Sequence, residues 1–363
     1  MVQPGLIDCD LHVTPASVEV LFPYLAPHWQ EYIRESAFKG PVDFAYPKNA
    51  PLTVQPALRS SPGAVPGTTL AEVRQQALDP WGTTYAILQC DYPIQTVHNP
   101  DLAAALARAV NDWLIQEWLE KDPRLRAALV VPIQVVELAV REVERVGDHP
   151  GFVQVYLPVR SEAPYGNRRY WPLYAAAVRH RLAIGIHYGG APGHPPTPTG
   201  WPSYFLEEYV AMALVAQSQL LSLVSEGVFD RFPELKVVVL ECGWSWLPAF
   251  LWRFDKDWKG LRREVPWVRQ PPSAYIRAHC RFSLQPPDVP PEPRGLAQVL
   301  DHLETDELLL FATDYPHWHF DQPAEALPAG LPAALRPKIL WENAWRWYQC
   351  TGRFAPAGGE GPW

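Results

Sequence analysis

Lys236 to Glu241 reads KVVVLE, and Leu308 to Thr313 reads LLLFAT. Both stretches are apolar at odd and even positions alike. A strand wetted on one side alternates, whereas a strand covered on both faces reads as a continuous apolar run, the habit of parallel sheets enclosed by helices. Outward from these two, the same signature, bounded by Pro, Gly or charge, recurs at Leu6–His12, Tyr85–Asp91, Ala127–Pro132, Phe152–Leu157, Leu182–Tyr188 and Arg281–Gln285. That makes eight runs in all.

Amphipathic segments fill the intervals, at Asp101–Lys121, Gln134–Arg145, Pro172–His180, Phe205–Val228, Leu247–Lys259 and Ala333–Tyr348. The first has Leu102, Leu106, Val110, Trp113, Leu114 and Trp118 on one stripe, with Asn99 placed to cap it and Pro100 where a missing N–H costs nothing. Strand–helix alternation repeated eight times predicts a single (β/α)8 TIM barrel spanning residues 1–363. Such a barrel takes about 250 residues, which leaves roughly 110 for elaboration. Phe38–Thr69, rich in Pro and Gly and without periodicity, is expected as an insertion after strand one. Gly189–Tyr204 and Pro286–Pro293 are expected as insertions after strands five and seven. All three fall on the end of the barrel where active sites are built. The longest can serve as a lid or as a subunit contact.

Composition narrows the classes of function. The 363 residues carry 31 Lys+Arg against 39 Asp+Glu, a net charge of −8. A nucleic-acid binder needs a basic stripe to displace counterions, and an anionic membrane surface asks for the same, so neither partner is expected. No apolar run approaches the ~20 residues of a spanning helix, and Met1–Asp10 has no basic segment leading into an apolar one. Five cysteines are an odd number, and Cys9, Cys90 and Cys242 lie in strand-like runs. Such cysteines behave as small reduced core residues, which predicts a cytoplasmic protein.

The chemistry should lie where strands end. In a barrel, a polar side chain at the C-terminal end of a strand is the expected place for catalysis. Strand one ends Asp10-Leu11-His12, strand five carries His187, strand six ends in Glu241, and Asp314 follows strand eight. Residues two apart on a strand face the same side, so Asp10 and His12 can point into the mouth together. Imidazoles mixed with carboxylates suit one divalent ion, Zn2+ first, with Mn2+ or Fe2+ as alternatives.

These residues sit in longer motifs: IDCDLH at the start, IGIHYGG at Ile184–Gly190, LECGWSWLPAFLWRFDKDW at Leu240–Trp258 and FATDYPHW at Phe311–Trp318. Their order and spacing resemble the amidohydrolase superfamily, in the amidohydrolase-2 branch that includes aminocarboxymuconate-semialdehyde decarboxylase-like enzymes. By that resemblance the branch's H-x-H pair falls on Asp10 and His12, its strand-five histidine on His187 and its strand-eight aspartate on Asp314. Related decarboxylases use a carboxylate at the first of these positions. Glu241 stands where many of them have a catalytic histidine. Strand four has no Lys, so the carbamylated lysine that bridges two ions in binuclear relatives is absent and one ion is implied. The resemblance also implies a homodimer.

Two reactions fit this set. With Asp10, His12 and His187 as ligands and an open position, an ion lowers the pKa of bound water from 15.7 towards ~7. Asp314 would then bind the ion too or pass the proton to a leaving group. That hydrolysis of a small amide, ester or lactone is expected first. Non-oxidative decarboxylation of a small aromatic or muconate-type acid, with Asp314 protonating the carbon, is the alternative, and a barrel that binds without turnover is a third reading. Glu241 either shuttles a proton or holds His187. For the substrate, Arg160 after strand four can grip a carboxylate, and His317, Tyr188 and Trp244 are expected at the pocket. Arg168, Arg169 and His194 are weaker candidates of the same kind. Trp201, Tyr204, Tyr315 and Trp318 would add aromatic walls for a planar ligand.

Overall fold

The computed structural model describes residues 5–42, 46–47, 53–61, 64–190, 195–317, 325–349 and 352–354. Eight parallel strands pair in chain order: β1 (Ile7–Val13), β2 (Tyr85–Cys90), β3 (Leu125–Val130), β4 (Phe152–Pro158), β5 (Ala183–His187), β6 (Val237–Leu240), β7 (Cys280–Ser283) and β8 (Leu309–Leu310). The seam between β8 and β1 closes through irregular backbone. The N–H of Cys9 donates to the carbonyl of Phe311 at 2.9 Å, that of Asp314 to Asp10 at 3.0 Å and that of His12 to Tyr315 at 2.8 Å. The result is the expected (β/α)8 barrel. Its strands are buried along nearly their whole length, which is why their sequences do not alternate.

The eighth strand ends earlier than its apolar run. Beyond Leu310 the chain leaves the ladder, the N–H of Phe311 turns to the carbonyl of Ile339, and Asp314 takes a positive φ of 53°. A regular strand cannot hold that angle. The longer helices are α1 (Pro27–Glu35), α2 (Pro100–Leu114), α3 (Val136–Val146), α4 (Trp171–Arg179), α5 (Phe205–Ser225), α6 (Leu247–Leu261), α7 (Pro272–His279), α8 (Pro293–His302) and the short α9 (Asn343–Tyr348). Asn99 caps α2, its side chain accepting from the N–H groups of Asp101 and Leu102, worth about 1 kcal/mol. The expected helix over Ala333–Tyr348 is instead three short pieces, with Pro337, which lacks an N–H, just before the second.

The two ends of the barrel differ. At the N-terminal end, Trp345, Trp347, Tyr348 and Phe354 pack with Ile7, Tyr85, Ile87 and Val153. The Tyr348 hydroxyl reaches into the barrel and donates to Gln154 Oε1 at 2.7 Å. This aromatic floor leaves the C-terminal ends of the strands for the site.

The described parts of the 38–69 insertion are fastened across that mouth. Thr14 N–H donates to Gly67 O, and Gln55 N–H donates to Pro316 O. Val54 forms an antiparallel bridge with His317, and Tyr46 N–H donates to the Glu208 carboxylate on α5. Glycine is required at residue 67, where φ is +82° and a Cβ would stand 2.7 Å from the His12 carbonyl. Cys9, Cys90, Cys242 and Cys280 are buried and unpaired. Among the described residues no helix is long and apolar enough to cross a membrane.

Candidate metal centre

β1 supplies the first two side chains. Asp10 and His12 lie on the same side of the strand, with Asp10 Oδ1 3.6 Å from His12 Nε2. β5 ends in His187, whose Nε2 stands 3.2 Å from Asp10 Oδ1. The backbone bond from Asp314 N–H to Asp10 O brings the loop after β8 across, so Asp314 Oδ1 meets His12 Nε2 at 2.9 Å. β6 leads into Glu241, with Oε2 3.8 Å from His187 Nε2. His317 Nδ1 lies 3.1 Å from Asp314 Oδ1. Asp10 and Asp314 have no exposed surface, and His187 and Glu241 almost none. Residues remote in the chain thus converge on one spot.

Local structure holds the two acids that end strands in unusual backbone. Glu241 (φ 51°) and Asp314 (φ 53°) are both left-handed, a state that costs a non-glycine residue on the order of 1 kcal/mol and survives when neighbours over-determine it. Ser283 Oγ accepts from Glu241 N–H and donates to Gln285 O. Beside Asp314, Thr313 is clamped to Asp8: its N–H donates to Oδ1 at 3.0 Å and its hydroxyl to Oδ2 at 2.6 Å. Burial pushes the Asp8 carboxyl up to about 7 against those hydrogen bonds.

The electrostatics call for a cation. Burial would lower His187, yet the Asp10 carboxylate outweighs it, with Glu241 helping, and carries the imidazole up to about 10. His317 is likewise lowered by burial but raised more by Asp314, to about 9. Glu241 is itself raised, by burial first and then by the nearby Asp314 charge. Three buried carboxylates crowd this spot, and a site that holds protons so tightly is one where a divalent ion can take their place.

The donor set fits such an ion. Donors that share one ion at roughly 2.1 Å stand about 3 to 3.5 Å apart, close to the measured 2.9, 3.2 and 3.6 Å. His187 Nδ1 lies 2.7 Å from the carbonyl of Tyr188. Donation there leaves the lone pair on Nε2, directed at Asp10. Asp10 Oδ2 and Glu241 Oε2 are buried without a hydrogen-bond partner among the described residues. Asp10, His12 and His187 form one such cluster, and His12, Glu241, Asp314 and His317 an overlapping second.

Beside the centre opens a cavity of about 490 Å3, into which His12 and His317 face. Gly40, Pro41, Val54, Val65 and Thr68 of the insertion form one wall, and Lys39 and Asp91 are its other charged lining residues. The insertion is therefore part of the pocket. Asp91, which follows β2, went unremarked in the sequence although it ends a strand as the other acids do.

The remaining sequence candidates are scattered. Arg160 is buried against Glu208, Nη2 to Oε1 2.9 Å, and is not among the described residues lining the cavity. Trp244, expected at the substrate, is wholly buried in the core, its backbone N–H donating to Asp288 Oδ1 at 3.1 Å. Tyr188 is buried against the ring of Tyr209, whose hydroxyl donates to Glu241 Oε1 at 2.9 Å. Arg168 is exposed, and Arg169 pairs with Glu162. Trp201 is half-exposed against the ring of Tyr46, Tyr204 is exposed, and the hydroxyl of the buried Tyr315 donates to Gln76. His194 and Trp318 lie outside the described residues.

The family model described as Amidohydrolase matches residues 7–350. The chain belongs to the amidohydrolase family. Among curated amidohydrolase relatives, the gamma-resorcylate decarboxylase of Polaromonas sp. (strain JS666) is 26% identical over 320 residues, 79% of this chain and 93% of that one. Two solved structures share the barrel. The dihydroxybenzoic acid decarboxylase from Polaromonas sp. JS666, with bound manganese and the inhibitor 2-nitroresorcinol, has a TM-score of 0.67 at 21% identity, over 96% of this chain and 97% of that one. The 5-carboxyvanillate decarboxylase from Sphingomonas paucimobilis has a TM-score of 0.70 at 20% identity, over 96% and 99%.

Proposed function

We propose that this amidohydrolase is a metal-dependent carboxy-lyase that releases CO2 from a small hydroxylated aromatic acid. The observation that carries the reading is the joining of a carboxylate-and-imidazole centre to a mostly apolar cavity of about 490 Å3 in a chain that covers 93% of a gamma-resorcylate decarboxylase. The hydrolase expected first from residue types gives way, because the relatives named above are decarboxylases.

Asp10, His12 and His187 would hold the ion, with Asp314 able to join them. Two carboxylates beside two imidazoles suit Mn2+ as well as Zn2+, and the manganese of the Polaromonas enzyme favours Mn2+ here. When bound, the ion supplies a fixed positive charge that anchors the substrate's carboxylate edge and steadies negative charge during the reaction. The chain's own groups do the rest. Asp314, held left-handed beside His12, delivers a proton to the ring carbon that bears the carboxylate. The bond to the carboxylate then breaks, its electron pair restores the aromatic ring, and CO2 leaves. His317, 3.1 Å from Asp314 and facing the cavity, returns a proton from solvent. Glu241, with Tyr209 donating to it, adds negative charge beside His187 and the ion, while the Tyr188 carbonyl keeps the His187 ring oriented.

The test is CO2 release by Mn2+-loaded protein from 2,6-dihydroxybenzoate and related hydroxybenzoates. Turnover should fall at least about a hundredfold in Asp314→Asn, the usual loss when a positioned proton donor is removed. No CO2 from any acid, alongside hydrolysis of an amide or lactone, would overturn the reading.

A further inference from the structure

We propose that Asp91 determines specificity by accepting a hydrogen bond from a hydroxyl group on the substrate's ring; the inference rests on the site taking an aromatic acid. Asp91 follows β2 at the C-terminal rim of the barrel and lines the cavity shared by His12 and His317. Its negative charge is felt at His317 and at Tyr156, and the Tyr156 ring lies 5.4 Å from that of His187. Asp91 therefore lies on the cavity wall within electrostatic reach of the metal centre.

Asp91 is half-buried. Among the described residues its carboxylate has no hydrogen-bond or ion-pair partner, although its own N–H is fixed to Val13 O. The nearby acids are otherwise used: Asp8 is clamped by Thr313, and Asp10, Glu241 and Asp314 crowd the histidines. A lone carboxylate on the wall of a pocket for an anion is a filter. It repels a second carboxylate brought to that wall and welcomes an O–H, for which it is a charged acceptor. The ligand class that fits is an aromatic monoacid with a ring hydroxyl facing β2. A site built to bond a hydroxyl discriminates against the analogue that lacks it, because its own polar group is left unpaired.

The test compares 2-nitroresorcinol with 2-nitrophenol, which differ by one ring hydroxyl and have no carboxylate to lose. Both are titrated by calorimetry into Mn2+-loaded protein at a pH that keeps the phenols protonated. Wild-type protein should prefer 2-nitroresorcinol by roughly ten- to a hundredfold, the range for a hydrogen bond to a charged group. Asp91→Ala should bring the ratio near one by weakening 2-nitroresorcinol alone. Asp91→Asn, which keeps an acceptor oxygen, should retain part of the preference. An unchanged ratio in Asp91→Ala, equal weakening of both ligands, or no preference in wild type would overturn the inference. CO2 release is measured separately, so a protein that fails to decarboxylate yet shows the Asp91-dependent ratio refutes the reaction and keeps the specificity residue.

Discussion

Replacing Arg160 with Met should destabilise the protein strongly while leaving the ion in place. The Arg160 guanidinium and the Glu208 carboxylate are 5% and 0% exposed and 2.9 Å apart, and a Cβ on Gly190 would collide with the guanidinium. Methionine fills most of the volume and removes the charge. Glu208, which also accepts from the Tyr46 N–H, then loses its buried countercharge, and breaking such a pair from one side costs on the order of 4 kcal/mol. Urea unfolding is the assay. For a chain of this size the dependence on urea is at least about 3 kcal/mol per molar, so the midpoint should fall by roughly 1 M. The deficit should shrink in acid, because an unpaired buried carboxyl sheds its charge by taking a proton. Arg160→Met/Glu208→Leu, which removes both charges, should recover much of the loss. A midpoint within about 0.2 M of wild type, or a double variant whose loss is the plain sum of the singles, would refute the reasoning.

Other outcomes follow from the same geometry. His187→Ala should cut bound metal by elemental analysis, together with activity, while the circular dichroism of the barrel is kept; full metal content would remove His187 from the centre. Thr313→Val deletes the hydroxyl that donates to the buried Asp8 and should cost about 2 kcal/mol in thermal or urea unfolding, with turnover falling as Asp314 loses its neighbour's support. His180 is lowered by burial but raised more by Glu144 and Asp148, so its folded pKa lies above the ordinary 6.5. A raised folded value means stability that is present below 6.5 and lost as pH rises through the folded value. The gap between wild type and His180→Gln should therefore be widest in mild acid and close in alkali, and a gap that widens with pH would contradict the assignment.

Much of the architecture was legible because burial on two faces writes itself into a strand as unbroken apolar sequence. KVVVLE at β6 and AIGIH at β5 show this plainly. Asp10, His12, His187 and Asp314 were readable because each follows such a run, and the barrel brings the ends of all strands to one rim. What escaped depended on partners remote in the sequence. Nothing around Arg160 announces that Glu208 on α5 will be buried against it. Trp244 reads like a mouth aromatic, but Asp288 in a later loop accepts from its backbone N–H and the indole packs inward. The helices α7 and α8 were missed because each is short and opens on proline within a proline-rich stretch. Asp91 obeyed the strand-end rule but stands alone, without a histidine beside it to suggest an ion.

The strap that follows α1 and fastens to the β8 loop and to α5 separates two jobs within one enzyme. The side chains of the candidate metal centre sit on strand ends, where any shift disturbs the whole barrel, whereas one flank of the cavity is built from a surface excursion anchored mainly through its own backbone. Exchanges of side chain along that excursion can reshape what enters without touching the machinery beneath. A library confined to the cavity-facing residues of that strap is thus the economical route to altered substrate preference at undiminished metal occupancy.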